Sequence, residues 1–179
     1  MTSLTSRIRT DAPTALSAYL RGGDDPELRR RRGVVALSLL GVAMGQVVSA
    51  YQTGLVKRLP DPPGPFDSAR VDASDYAYAR AASPDGLAMV VSYGVTAWLA
   101  GTGGSARAER SPVLALATAA KAAGDTVLAL ELAREEWRDN KAFCAYCQVA
   151  TVASLASLAL AVPEARRALA ALRRRRTGS

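Results

Sequence analysis

The chain has 179 residues and a formal net charge of +7, and nearly half of its residues are hydrophobic. It contains no histidine, which excludes Ser-His-Asp and Cys-His catalytic sites within the chain. Its two cysteines cannot supply all four ligands of a structural zinc site, so such a site would need carboxylates or a second copy of the chain. We therefore expect no metal, and a metal site shared by two chains is the weakest alternative.

The charged residues are segregated from the apolar ones. Two runs of arginine, at residues 29–32 and 173–176, each flank an apolar stretch. Basic clusters of this kind anchor membrane helices on the cytoplasmic side, and they also bind phosphate groups. No aromatic residue interleaves either run, so a stacking surface for single-stranded nucleic acid is not supported. We expect membrane lipid as a partner and no nucleic acid.

The first apolar run covers residues 33–54 and carries no charge. Its length reaches the roughly 20 residues that a helix needs to cross a bilayer. A secretory signal peptide is the alternative, because Val48-Ser49-Ala50 resembles a small-residue cleavage site. The basic leader is long for a signal peptide, so a membrane span is favoured. Residues 1–32 are then predicted to form a cytoplasmic basic tail.

A hydrophilic segment, residues 57–85, separates the first apolar run from the second. It opens with a proline-rich stretch that cannot continue a helix. Farther along, Asp72 or Ser74 is a candidate cap for a short helix. We therefore predict an outer loop that contains a short helix along the membrane surface.

Three further apolar runs follow, at residues 86–104, 112–132 and 142–162. The last of them is ended by Pro163 and followed by a basic tail, residues 166–179. Together the four runs predict an all-α integral membrane four-helix bundle within residues 33–165. Lysine and arginine are about twice as frequent on the side that holds the two tails, so both termini are predicted to lie in the cytoplasm.

Cys144 and Cys147 form a C-x-x-C motif at the predicted start of the fourth helix, near the outer face of the membrane. A helix N-terminus favours a thiolate, and the spacing of the two residues suits a small disulfide ring. Such a pair can exchange with another dithiol, and a disulfide persists on an oxidising extracytoplasmic face. The alternative is a pair of buried structural cysteines, but the spacing favours redox chemistry.

Lys121 and Asp125 lie four residues apart in the third apolar run and therefore share one face of a helix. Charges at membrane depth are costly, and they usually face the interior of a bundle or pair with each other. The two residues are either a polar site that positions a ligand or moves protons, or an ion pair that fixes packing. Both interpretations place them inside the bundle.

Three segments carry a likeness to a known family. Residues 71–77, VDASDYA, match a V-x-x-S-x-Y-A stretch that precedes a second membrane helix, and Ser92-Tyr93-Gly94 falls within that helix. Residues 141–147, KAFCAYC, match an active-site region at the start of a fourth helix. In these features the chain resembles the vitamin K epoxide reductase family, over about residues 34–165.

The resemblance implies a thiol oxidoreductase of the bacterial plasma membrane that passes electrons from protein dithiols to a quinone, either ubiquinone or menaquinone. It implies that Cys147 lies beside the quinone and that Cys144 exchanges with an incoming thiol. The residues expected near the quinone are Ser74, Tyr76, Tyr93 and Tyr146. The dithiol donor is expected to be a separate extracytoplasmic thioredoxin-like protein.

The sequence departs from the family pattern in its outer loop. Most members have a second cysteine pair there, which relays electrons to the C-x-x-C motif, and this sequence has none. Ser68 occupies the position where one of that pair is expected. Either a partner thiol attacks Cys144 directly, or the protein has lost turnover and is an inactive quinone-binding or scaffold membrane protein.

Overall fold

The computed structural model describes residues 12–79 and 83–177, and this part of the chain is folded almost entirely into helices. The helices are α1 (Pro13–Gly22), α2 (Pro26–Gln52), α3 (Ser68–Asp72), α4 (Asp85–Gly101), α5 (Arg107–Arg110), α6 (Pro112–Asn140) and α7 (Ala145–Thr177). A 3-10 turn, Asp75–Tyr78, follows α3. Extended pairing in these residues is limited to a parallel bridge between Phe66 and Phe143. The predicted all-α class is confirmed.

Three helices of the described residues are long and apolar enough to cross a membrane, namely α2, α6 and α7. The predicted second span corresponds to α4, which has 17 residues. At about 1.5 Å per residue α4 extends roughly 26 Å, which is less than the hydrocarbon thickness of about 30 Å. The described structure therefore supports a membrane protein with three spans of full length and one shorter apolar helix.

The helices extend beyond the apolar runs that predicted them. Helix α2 begins at Pro26 because the Asp25 side chain caps it and accepts the N–H of Leu28 at 2.9 Å. The first arginine run is therefore helical. Helix α7 continues through Pro163 to Thr177, so this proline does not end the helix. Residues 1–11 and 178–179 of the two predicted tails lie outside the described residues.

The long helices pack against one another unevenly. Helix α2 packs along both α4 and α7, and α6 packs along α7, whereas α4 and α6 touch each other only sparsely. Close approach of α2 and α4 depends on Gly41, where an added Cβ would lie 2.5 Å from the ring of Tyr93. The sparse contact between α4 and α6 leaves a gap on one side of the bundle.

Two buried arginines close the end of the bundle opposite the cysteines. The guanidinium of Arg31 donates to backbone carbonyls of residues 100–104, at distances from 2.7 to 3.3 Å. The guanidinium of Arg107 donates to both carboxylate oxygens of Glu164, at 2.8 and 2.6 Å, and to the carbonyl of Leu99 at 2.8 Å. These bonds satisfy the carbonyls that a helix C-terminus leaves unpaired, and they hold the end of α4 at Gly101.

Candidate functional site

The turn between α6 and α7 positions Cys144 as the cap of α7. Lys141 adopts a left-handed backbone, with φ of 54°, and ends α6. The Sγ atom of Cys144 then accepts the backbone N–H of Cys147 at 3.2 Å, and the Cys144 carbonyl accepts the N–H of Gln148 at 3.0 Å. A side chain that accepts the N–H of the third helical residue has the geometry of an N-cap. The thiol of Cys144 therefore lies in the positive field of the helix N-terminus.

The outer loop is pinned against this turn by backbone pairing. Phe143 donates its N–H to the carbonyl of Pro65 at 2.9 Å, and Asp67 donates its N–H to the carbonyl of Phe143 at 3.1 Å. The hydroxyl of Tyr146 donates to the carbonyl of Pro60 at 2.8 Å. The proline-rich part of the loop is thus fixed over the first turn of α7.

Ser68 completes the contact between the loop and α7. Its hydroxyl accepts the N–H of Ala145 at 2.9 Å and donates to a carboxylate oxygen of Asp61, and its side chain is fully buried. Ser68, which was predicted to stand in place of a loop cysteine, is therefore adjacent in space to the residue after Cys144. It contributes a hydrogen bond to the start of α7.

Asp72 lies against the first cysteine. The thiol of Cys144 donates to Oδ2 of Asp72 at 3.2 Å, and neither side chain is exposed by more than 1%. Burial raises the pKa of Asp72 to about 7 although the hydrogen bond from Cys144 lowers it, and nearby carboxylates add to the rise. Of the two predicted helix caps, Ser74 occupies the N-cap position of the 3-10 turn, although its side chain makes no capping hydrogen bond, whereas Asp72 is the last residue of α3. The α3 cap is Asp67, which accepts the N–H of Arg70 at 3.0 Å, and Ser74 donates its hydroxyl to a backbone carbonyl.

A second buried carboxylate, Glu136, flanks the motif from the last turns of α6. Its Oε2 atom accepts the N–H of Cys144 at 3.1 Å and the side-chain amide of Gln148 at 3.0 Å, and the carboxylate also interacts with the side chain of Cys147. Sequence reasoning missed Glu136 and assigned Asp72 only a capping role. Their places beside the cysteines follow from tertiary packing, and local sequence carries no signal that separates them from neighbouring acidic residues.

A cavity of about 240 Å³ lies between α4, α6 and α7, at the gap between α4 and α6. Its wall is mainly apolar, and Cys147 lines it, whereas Cys144 does not belong to its lining. The other lining residues are Tyr76, Asp85, Ala88, Met89, Ser92, Tyr93, Asp125, Leu128, Ala129, Leu132, Glu136, Ala150 and Thr151. The two cysteines thus face different surroundings, one a cavity inside the bundle and the other the outer loop.

The structure brings two of the four predicted quinone-contacting residues to this cavity. Tyr76 lines it from the loop and donates its hydroxyl to the carbonyl of Leu132 at 3.2 Å. Tyr93 lines it from α4 and donates to the carbonyl of Ala150 at 2.6 Å. Ser74 and Tyr146 lie outside the lining, where they hydrogen-bond to loop carbonyls.

Lys121 and Asp125 form an ion pair on α6, as one interpretation of their spacing predicted. The Asp125 carboxylate also accepts hydrogen bonds from Ser92 Oγ at 2.8 Å and Thr96 Oγ1 at 2.6 Å, and Lys121 donates to Ser92 Oγ at 2.8 Å. Asp125 lines the cavity, and Lys121 lies beside it without joining the lining. Asp125 therefore adds a polar group to the wall of a mainly apolar cavity, and the ion pair is hydrogen-bonded across to α4.

These features define a helical membrane protein with a free dithiol at the start of a spanning helix and a cavity beside one of its thiols. The model of the vitamin K epoxide reductase family matches residues 33–162, and the chain belongs to this family. No curated protein and no solved structure matches the chain. Family membership confirms the resemblance found in the sequence and indicates oxidoreductase activity at a membrane.

Proposed function

We propose that the protein is a membrane thiol-disulfide oxidoreductase that passes electrons from a protein dithiol to a membrane quinone through Cys144 and Cys147. The observation that carries this proposal is the division of the two cysteines between two surroundings. Cys147 lines an apolar cavity inside the bundle, and Cys144 contacts the outer loop. This division supports a lipid-soluble acceptor at Cys147 and a donor that approaches Cys144 from the side of the outer loop.

The electrons and protons balance between the two cysteine thiols and the quinone. The Cys147 and Cys144 thiols lose two electrons and two protons as an S–S bond forms between them, and the quinone gains both to become a hydroquinone. A partner thiolate then attacks the disulfide at Cys144, and a second partner thiol completes the exchange. Asp72, whose carboxylate accepts a hydrogen bond from the Cys144 thiol, orients that sulfur in the reduced protein.

The cavity fits the ring of a quinone. A cavity of about 150 Å³ is known to hold benzene, so 240 Å³ leaves room for a substituted ring. The isoprenoid tail would leave through the gap between α4 and α6, because those helices make few contacts. Tyr76 and Tyr93 would border the ring, and either ubiquinone or menaquinone meets these requirements.

We further propose that α4 crosses the membrane with α2, α6 and α7. With four crossings both termini lie on one side, and the excess of arginine at both tails favours the cytoplasmic side of a bacterial plasma membrane. The turn that holds the cysteines then faces outward. A separate extracytoplasmic thioredoxin-like protein is the matching dithiol donor.

A catalytically inactive quinone-binding or scaffold protein is the second candidate, and one observation favours it. Cys144 is fully buried behind a loop that is hydrogen-bonded to α7, and Ser68 stands where a relay cysteine is expected. A partner thiol reaches Cys144 only if the loop opens. In the second candidate function, the protein binds quinone in the cavity but does not catalyse its reduction.

Oxidation of the dithiol by quinone tests the proposal. The full chain would be purified in detergent, reduced, freed of reductant and incubated with a short-chain quinone, and the thiols would then be counted by alkylation and mass spectrometry. We expect both thiols to be lost together as hydroquinone appears in equal amount. Cys144→Ala and Cys147→Ala should each abolish hydroquinone formation.

A measurement of quinone binding beside quinone reduction separates the candidates. Cys144→Ala, which leaves the lining of the cavity unchanged, should bind quinone but produce no hydroquinone. If the unmodified protein binds quinone and its thiols nevertheless stay reduced at saturating quinone, the oxidoreductase proposal fails and the inactive quinone-binding protein takes its place.

A further inference from the structure

Three potential metal ligands meet at the start of α7. A carboxylate oxygen of Asp72 and the Sγ atoms of Cys144 and Cys147 all lie within 4.8 Å of one another. Both cysteines are free thiols, and Asp72 and Cys144 are fully buried. The sequence suggested that a metal site would need carboxylates or a second copy of the chain in addition to the two cysteines, and the fold places one carboxylate beside them.

The donor set matches a borderline-soft divalent cation. Zinc binds thiolate sulfur at about 2.3 Å and carboxylate oxygen at about 2.0–2.2 Å in tetrahedral geometry, which places neighbouring ligand atoms roughly 3.5–3.8 Å apart. The Cys144 Sγ and Asp72 Oδ2 atoms are already 3.2 Å apart. Small side-chain movements would therefore bring all three donors onto one ion.

The surroundings supply what such a site needs beyond its ligands. The chain near Cys144 is held by Glu136 and Ser68 through backbone N–H groups, which fixes the thiol in place. The cavity beside Cys147 also carries the carboxylates of Asp85 and Glu136. In their ionised form these carboxylates reduce the electrostatic cost of bringing a dication to the thiols.

We propose that the reduced protein binds one Zn²⁺ or a similar thiophilic divalent cation through Asp72, Cys144 and Cys147. Binding releases the two thiol protons and leaves a fourth position for water or another exchangeable ligand, as in zinc sites with three protein ligands. A disulfide between the cysteines removes both thiolates, so metal binding and the disulfide exclude each other. Metal binding at this site does not require that the protein reduce quinone. A bound metal ion protects the two thiols from oxidation.

Cobalt binding to the purified full chain tests this site, because Co²⁺ coordinated by thiolates absorbs light in a characteristic way. Addition of Co²⁺ to the reduced protein should produce thiolate-to-cobalt absorption that saturates at one ion per chain and disappears when Zn²⁺ displaces it. The same protein oxidised to the disulfide should give no such absorption. This comparison needs no substitution and so does not depend on whether a variant folds.

Substitutions assign the ligands. Cys144→Ser and Cys147→Ser should each remove most of the thiolate-to-cobalt absorption. Asp72→Asn should lower the affinity for Zn²⁺ by about tenfold or more. Asp75→Asn, an exposed position three residues away, is the matched control and should bind as the unmodified chain does. Absence of thiolate absorption in the reduced protein would overturn the site. If Asp72→Asn bound Zn²⁺ as tightly as the unmodified chain, Asp72 would not be a ligand, and the proposed three-ligand site would be wrong.

Discussion

The aromatic ring of Tyr93 lies directly over Gly41, so close that a Cβ on this glycine would be 2.5 Å from the ring. The same tyrosine spans the bundle and donates its hydroxyl to the carbonyl of Ala150 on α7. One residue therefore joins α2, α4 and α7 and also borders the cavity. The fit of Gly41 against it sets how closely these helices approach.

Gly41→Ala should destabilise the protein by about 1–3 kcal/mol, the usual cost of overpacking a filled core. Thermal unfolding of the purified protein in detergent, followed by circular dichroism, measures the change. Gly94→Ala is the control in the same bundle, because nothing lies within 4 Å of a Cβ at that position. It should be neutral or slightly stabilising, since alanine favours helix over glycine. Equal loss in both variants would contradict the close fit.

Filling the cavity should weaken quinone binding without altering the thiols. Met89 lines the cavity, and Met89→Trp places an indole in the space proposed for the quinone ring. The KM for a short-chain quinone should rise at least about tenfold, a loss of more than roughly 1.4 kcal/mol of binding. Leu87→Trp, at an exposed position two residues earlier on α4, is the control. A normal KM in Met89→Trp would place the quinone elsewhere.

Breaking the buried ion pair at the far end of the bundle should be costly. Glu164→Gln leaves the Arg107 guanidinium buried without its anionic partner, and such losses typically cost about 3–5 kcal/mol. Asp139→Asn disrupts the exposed pair with Arg138 and should change stability by less than about 1 kcal/mol. Chemical denaturation of both variants in the same detergent makes the comparison. Similar values for the two would mean that the Arg107 site is already well hydrated.

Removal of one partner of the intramembrane pair should destabilise more than removal of both. Lys121→Met leaves Asp125 uncompensated beside the cavity and should cost about 1–3 kcal/mol. The double change Lys121→Met with Asp125→Leu should recover most of this loss, because no charge is then left unpaired. A double-mutant cycle on thermal unfolding measures the coupling between the residues. Additive effects would show that Ser92 and Thr96, rather than Lys121, stabilise the carboxylate.

Reporter fusions test the proposed orientation. With an even number of crossings and an arginine-rich cytoplasmic side, green fluorescent protein fused after Ser179 should fluoresce in intact bacteria, and alkaline phosphatase at the same point should be inactive. A phosphatase inserted after Gly64, in the outer loop, should be active. If the two sites give the same result, α4 does not cross the membrane and the chain has three spans.

The cysteine pair, its helical start and its approximate place in the bundle were predictable from the sequence, because spacing and local capping determine them. The acidic partners were not. Asp72 occurs among polar loop residues and Glu136 in an acidic stretch at the end of a helix, and only the packing of the loop onto α7 buries them. The ends of α2 and α7 were also misjudged. Hydropathy reports where charge begins, whereas a cap such as Asp25 determines where a helix begins.

Arg31 differs in its role from the other arginines of residues 29–32. Arg29 and Arg32 are exposed and Arg30 is half-buried, but the guanidinium of Arg31 is buried on the carbonyls of residues 100–104. Its charge offsets a helix end and contributes little to the surface potential. A rule that counts basic residues to orient a membrane protein treats all four alike. In this chain Arg31 joins α2 to the end of α4 by hydrogen bonds. Replacing it with an uncharged residue should therefore destabilise the fold without reversing the orientation in the membrane.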